Sequence, residues 1–282
     1  MQLSRSLSRH LMLCTVTCTL IAGCDNDESS AENVLAENQT LWTTFEDGSY
    51  EYDIYKSSFT PYINDFHATV VDGDLISSEP IYPEDTTDRL ADPRGALTMD
   101  ELFETVRDAQ ANDTVHEVTY NADYGFPESI SIDPIVGAID DEYSYSINNF
   151  QPLEPALAQL LKQQKHWQDA DISAYTMELN ISCFCSLGGI VNVVIEEGEA
   201  VSGQYVAEDR ALNAEELGSF PATVQQLFAT AEQALRADEL TVEMAYDEDL
   251  GYPTEVKMSL GPDVQDGPAS YYIRNLTPAG SE

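Results

Sequence analysis

A register of 125 to 126 residues runs through the chain and constrains its fold more than any other feature. Trp42 and Tyr50 recur as Trp167 and Tyr175, and Val70 and Gly73 correspond to Ile195 and Gly198. Thr98 with Leu102-Phe103 corresponds to Thr223 with Leu227-Phe228. One inserted residue later, Tyr120, Gly125 and Pro127 recur as Tyr246, Gly251 and Pro253, and Tyr145, Ile147 and Asn149 as Tyr271, Ile273 and Asn275. Matches that hold their order over a domain length mark a tandem duplication. The period is too long for a solenoid unit, so each copy is expected to be a domain with its own core. The prolines at 152 and 155 place the boundary, giving a first repeat over 34–151 and a second over 152–282.

Within each copy, side-chain periodicity predicts the elements. Leu35, Asn38, Leu41, Trp42 and Phe45, and Leu157, Leu160, Leu161, Gln164 and Trp167, approximate one helical face. Strands follow, with Tyr50, Tyr52 and Ile54, or Tyr175, Met177, Leu179 and Ile181, on one side. Phe66, Ala68 and Val70, or Val191, Val193 and Ile195, make the next strand before the turn glycines Gly73 and Gly198. Thr98-x-x-Glu101 and Thr223-x-x-Gln226 read as capping boxes that start a second amphipathic helix. Three further strands follow, the first two joined through Tyr124-Gly125-Phe126-Pro127 or Leu250-Gly251-Tyr252-Pro253. The order α-β-β-α-β-β-β indicates α+β domains, helices on one face of an antiparallel sheet.

The first 23 residues read as a targeting segment. Arg5, Arg9 and His10 precede a short apolar stretch, and Leu20-Ile21-Ala22-Gly23-Cys24 resembles a bacterial lipobox. Cleavage before a diacylglyceryl-bearing Cys24 would anchor the chain to a membrane and expose it to the periplasm. Residues 24–33 read as an acidic tether. Arg5 and Arg9 belong to the leader, so the remaining 10 of the 12 basic residues face all 51 acidic ones, a formal charge of −41. Such a field repels nucleic acid and anionic headgroups. It is compatible with cation gathering or a basic partner. Its spread through both copies, with few lysines, fits a surface adapted to a salty extracytoplasmic medium. No stretch has the Asp-x-Asp-x-Asp-Gly calcium-loop spacing.

Trp167, Tyr175, Cys183-Phe184-Cys185, the strand from Val191 to Gly198, Leu227-Phe228 and Gly251-Tyr252-Pro253 together resemble the bacterial lipoprotein and secreted-protein family called domain of unknown function 6174. The first copy resembles it less closely, with Phe126 in the aromatic slot and Ser58 and Thr60 in place of the cysteines. The resemblance covers nearly the whole mature chain, supports the fold and implies no activity or cofactor.

Few residues carry chemistry. Cys14 and Cys18 lie in the leader, leaving Cys183 and Cys185 as an even pair in an oxidising compartment. On a regular strand their Cα atoms would stand roughly 6.5–7 Å apart, so a disulfide needs a bend, for which Ser186-Leu187-Gly188-Gly189 is suited. A disulfide, half of a metal site, and two inert side chains all remain open. The spacing is not the Cys-x-x-Cys of oxidoreductases, and His67, His116 and His166 are in no metal-binding or catalytic pattern. Asp140-Asp141-Glu142 carries no specific signal in so acidic a chain. Trp42, Trp167, Tyr124, Phe126 and Tyr252 offer a candidate binding platform, against a core reading that strand period favours. No catalytic residue, metal ligand set or cofactor site is expected. The expectation is a lipid-anchored envelope protein, a non-enzymatic binding or assembly module for a protein or small molecule. The alternative is a thiol/disulfide redox factor, or another enzyme, centred on Cys183 and Cys185.

Overall fold

The computed structural model of the protein describes residues 27–45, 48–82, 90–135, 137–185, 188–237, 239–260 and 267–280. The lipobox and Cys24 lie outside them. The first copy runs α1 (Asp27–Trp42), β1 (Tyr50–Ser58), β2 (Phe66–Val71), β3 (Asp74–Pro80), α2 (Met99–Ala111), β4 (Val115–Tyr120), β5 (Pro127–Ile132) and β6 (Tyr143–Pro152). The second runs α3 (Pro155–Asp169), β7 (Tyr175–Ser182), β8 (Gly189–Glu196), β9 (Glu199–Tyr205), β10 (Arg210–Ala211), α4 (Ala214–Leu217), α5 (Val224–Ala237), β11 (Thr241–Tyr246), β12 (Pro253–Ser259) and β13 (Ser270–Pro278). Two separate antiparallel sheets form, ordered β3-β2-β1-β6-β5-β4 and β10-β9-β8-β7-β13-β12-β11.

The α+β class follows the sequence pattern, and the strand count exceeds it. Each copy has a third strand after its first two, β3 or β9, and the second copy adds the short β10 and α4 before α5. Strands β3 and β9 flank the sheet's outer side and are half-exposed or exposed along most of their length, so neither shows the alternation that marks a half-buried strand. The other difference is at the start, where α1 begins inside the segment read as a tether. Ala31 to Val34 are all exposed, so this extension of the helix has no apolar face to announce it.

Alternate residues of each sheet meet one helix of its own copy, α2 or α5. Tyr50, Tyr52, Ile54, Phe66, Ala68, Val70, Ile130 and Ile147 enclose Leu102, Phe103 and Val106 of α2. Met177, Leu179, Val191, Val193, Ile195, Val256 and Ile273 enclose Leu227, Phe228 and Ala231 of α5. Each large side chain buried here contributes about 1.5–3 kcal/mol.

The recurrent residues fix repeated joints. The Tyr50 hydroxyl accepts the Met99 N–H at 3.1 Å, and the Tyr175 hydroxyl accepts the Val224 N–H at 2.9 Å, tying the first strand of each copy to the start of α2 or α5. The Thr98 and Glu101 side chains cap α2 reciprocally. Thr223 accepts the Gln226 N–H, while the Gln226 side chain reaches the Ala222 N–H instead. Asp72-Gly73 and Glu197-Gly198 each take two positive φ values, the requirement of a tight hairpin turn. Asn149 and Asn275, at φ 53° and 52°, sit where β6 and β13 slip register against β1 and β7.

The copies touch through unlike surfaces. Leu157, Ala158 and Leu161 of α3, with Leu235 of α5, pack against Val71 and Ile76 on β2 and β3. Arg236 of α5 grips Glu51 of β1 with both terminal nitrogens, at 2.6 and 3.1 Å. Glu51, Thr69 and Val71 point away from the Tyr50/Ala68/Val70 side and are nevertheless buried. The helical layer of the second copy thus covers part of the outer face of the first sheet.

Candidate functional site

The chain bends as it leaves β7, and the Sγ atoms of Cys183 and Cys185 are joined in a disulfide. Their Cα atoms stand 5.2 Å apart, closer than the roughly 6.5–7 Å of a straight strand. Gly189, at φ 137°, returns the chain to β8. A side chain at Gly188 would approach the Cys183 carbonyl oxygen to 3.3 Å. Of the readings left open by spacing, the bonded pair is the one the structure adopts, and sulfurs joined to each other offer no thiolate to a metal. Cys183 is half-buried against the core and Cys185 is exposed.

The disulfide rims an open groove of about 580 Å³ on the solvent face of the second sheet, lined also by Asn180, Ser182, Tyr272 and Arg274. Among the described residues, Arg274 and Lys56 are the basic side chains with no carboxylate within ion-pair distance, although acids outnumber bases throughout the chain. Lys56 lies near the corresponding end of the first sheet, its Nζ 5.4 and 5.3 Å from the ring centres of Tyr143 and Tyr145. Arg94 lines a small cavity together with Lys56 and Tyr145 and is held by buried Asp92, Nε to Oδ1 at 3.0 Å and Nη2 to Oδ2 at 2.6 Å. Burial, and then the charge of Arg94, pull the Lys56 ammonium below the ordinary lysine range, with Asp92 opposing. The bidentate Arg94 contact holds the Asp92 carboxyl below the usual carboxylate range.

The proposed aromatic platform is not a surface. Trp42, Trp167, Phe126 and Tyr252 are all buried. Trp42 meets Tyr50 and Phe126 edge-on at 5.3 and 6.1 Å, and Trp167 meets Tyr175 and Tyr252 at 5.5 and 5.9 Å. Tyr124 is half-buried among Phe45, Phe126 and Phe150. The cause is the loop glycine. Gly125 presses so closely on α1 that an added Cβ would lie 2.4 Å from the Asn38 carbonyl oxygen. Gly251 presses on α3 at the equivalent residues, Gln163 and His166. The hairpin is folded onto the core and carries its aromatic ring inward.

Two aromatic residues missed in the sequence do face solvent. Phe59 and Phe184 are 86% and 95% exposed, each in the connection after the first strand of its copy. They stand 125 residues apart, so the repeat register itself pairs them. That signal was present, but Cys183-Phe184-Cys185 draws attention to its sulfurs. Of the histidines, His67 shares a 2.8 Å contact with Asp53, while His116 and His166 are exposed.

Two like α+β units, stapled tail to sheet, define a tandem-domain protein. Its family is shown directly: the model for the family of unknown function DUF6174 matches residues 34–152 and again residues 159–278, and the chain belongs to that family. No curated protein matches the sequence.

Proposed function

We propose that the chain is a lipid-anchored bacterial envelope protein that works without catalysis, as a two-headed binding or assembly module in the periplasm. A leader that ends just before Cys24 supports the anchor, with the lipidated cysteine holding the domains at a membrane surface. The observation that carries the binding role is the exposure of Phe59 and Phe184 at one repeat position. A single exposed apolar residue is ordinary, whereas the same ring kept in solvent in both copies is a contact awaiting a partner. The partner is a protein or small molecule; nucleic acid is disfavoured by charge.

A photo-crosslinking residue placed at 59 or 184 in living cells is expected to trap one discrete partner from both positions. The same residue at exposed Val201 is expected to trap none. Equal, diffuse labelling at all three positions defeats the binding role. Cys24→Ser is expected to release the protein from the membrane fraction and abolish fatty-acid labelling.

The second reading, a thiol/disulfide factor, draws on the exposed Cys185 beside the open groove. It requires loss of function in Cys185→Ser with Phe59 and Phe184 intact. The binding role predicts function retained.

A further inference from the structure

The connection between β5 and β6 holds a group of carboxylates that the sheet itself brings together. Ile132 and Tyr143 are paired across the two strands, so Asp133 and Glu142 leave and enter the sheet side by side. The Asp133 N–H is fixed to the Thr114 carbonyl at 2.9 Å. Asp141 completes the group, and one oxygen from each of Asp133, Asp141 and Glu142 lies within 4.8 Å of the others.

Proximity of acids alone is unremarkable in this chain. What separates this group from the rest is the state of its oxygens. Both carboxylate oxygens of Asp141 and Oδ1 of Asp133 have essentially no solvent-accessible surface, and none has a hydrogen-bond partner among the described residues. A carboxylate oxygen removed from water without a donor is unfavourable, and like charges beside it make it more so. The buried carboxylates elsewhere, Asp92 and Glu51, have found partners. Asp92 holds Arg94 and Glu51 holds Arg236. Asp133 and Asp141, partly buried as residues, have no such partner among the described residues.

We propose that Asp133, Asp141 and Glu142 form a calcium site. All donors are hard oxygens, the preference of calcium and magnesium over softer ions. Calcium binds oxygen at about 2.3–2.6 Å, so its ligands can stand up to about 5 Å apart, a spread that accommodates these donors. Magnesium, at about 2.0–2.1 Å, holds opposite ligands only about 4.2 Å apart and gives up its water reluctantly. The site closes the β5–β6 connection and belongs to the first copy alone. The matching positions in the second copy are Ser259, Gly267 and Pro268, which have no carboxylate. One ion per chain is therefore expected.

The test is calorimetric titration of the full chain, stripped with chelator, at fixed ionic strength. Calcium alone is the first probe and magnesium the second. The expected result is one calcium per chain with half-saturation of roughly 10⁻⁴–10⁻³ M, the range of extracellular sites. Asp141→Asn is expected to weaken calcium binding more than tenfold and to raise the melting temperature of the ion-free chain, since it removes a buried charge. Glu248→Gln, an exposed acid in the second copy, is expected to leave the titration unchanged. Equal responses to calcium and magnesium would reduce the site to charge screening, and unchanged binding in both Asp133→Asn and Asp141→Asn would place the ion elsewhere. No response to calcium in the wild type would mean that protons neutralise the group. Any of these overturns the proposal.

Discussion

Gly125 shows how one atom can decide a loop. Its φ of 81° disfavours any side chain, and the Asn38 carbonyl oxygen occupies the place a Cβ would need. Gly125→Ala is expected to cost about 2–4 kcal/mol by chemical denaturation, combining strain with a forced helix shift. Gly251→Ala should cost less, since its nearest contacts are at 3.0 Å and two of the three are side-chain atoms. Equal tolerance of alanine at both positions would contradict the close-approach account. The buried tyrosines give a second prediction at this scale. Burial pushes Tyr175 up from 10.0 to about 12, partly offset by the Val224 N–H, and Tyr50 and Tyr246 move the same way. The unfolded chain then ionises first. The tyrosine contribution to stability should be level below pH 10 and fall as pH rises from 10 through 12. Tyr175→Phe should flatten part of that decline while costing about 1–3 kcal/mol at neutral pH, because the Val224 N–H loses its acceptor.

At the level of single elements, α2 and α5 test the worth of a cap. Thr98→Ala breaks a reciprocal box and is expected to lower stability by about 0.5–2 kcal/mol. Thr223→Ala removes the equivalent bond, to the Gln226 N–H, from a side chain that is only 2% exposed, so its cost should be larger. Equal melting temperatures for the two variants would contradict this. These helices were legible in the sequence because a hydroxyl, an acid or amide three residues on, and an apolar stripe are all local signals. The same holds for β1, β2 and their counterparts, where alternation is strong. β3 was not legible, since a strand half-exposed on both sides has no period to detect. Nor did α3 read correctly as a single face. Leu160 and Trp167 enter its own core, Leu157 serves the neighbouring copy, and Leu161 touches both. The site residues divide the same way. The Cys183/Cys185 spacing was visible, and a bend could be anticipated at the glycines. Whether the recurring Trp42, Phe126 and Tyr252 faced in or out depended on a tertiary approach that periodicity does not encode. Asp133 and Asp141 meet only because β5 and β6 pair.

For the molecule as a whole, the join between copies is the feature most open to test. Arg236 is 40% exposed and Glu51 only 10%, so Arg236→Ala should cost about 1–3 kcal/mol, less than a fully buried pair would. Urea unfolding should then separate into two transitions. Joint replacement, Glu51→Leu with Arg236→Met, should restore most of the loss; a single variant with unchanged midpoint would show that the apolar cluster around Leu157 and Val71 suffices. The free ends of the pair lack the matching parts. Where the second copy has Leu157, Leu161, Leu235 and Arg236, the first has Glu32, Ala36, Gln110 and Ala111, and an open groove of about 680 Å³ remains between α1 and α2. Where the first sheet has Glu51, Thr69 and Val71, the second has Thr176, Val194 and Glu196. Among the described residues, plug and socket are each made once, so this joint is not repeated at the two outer faces. This sets a limit on the gene as well. Duplicated stretches tend to overwrite one another, yet homogenising these would erase either the plug or the socket. The two halves must stay alike where they fold and unlike where they meet.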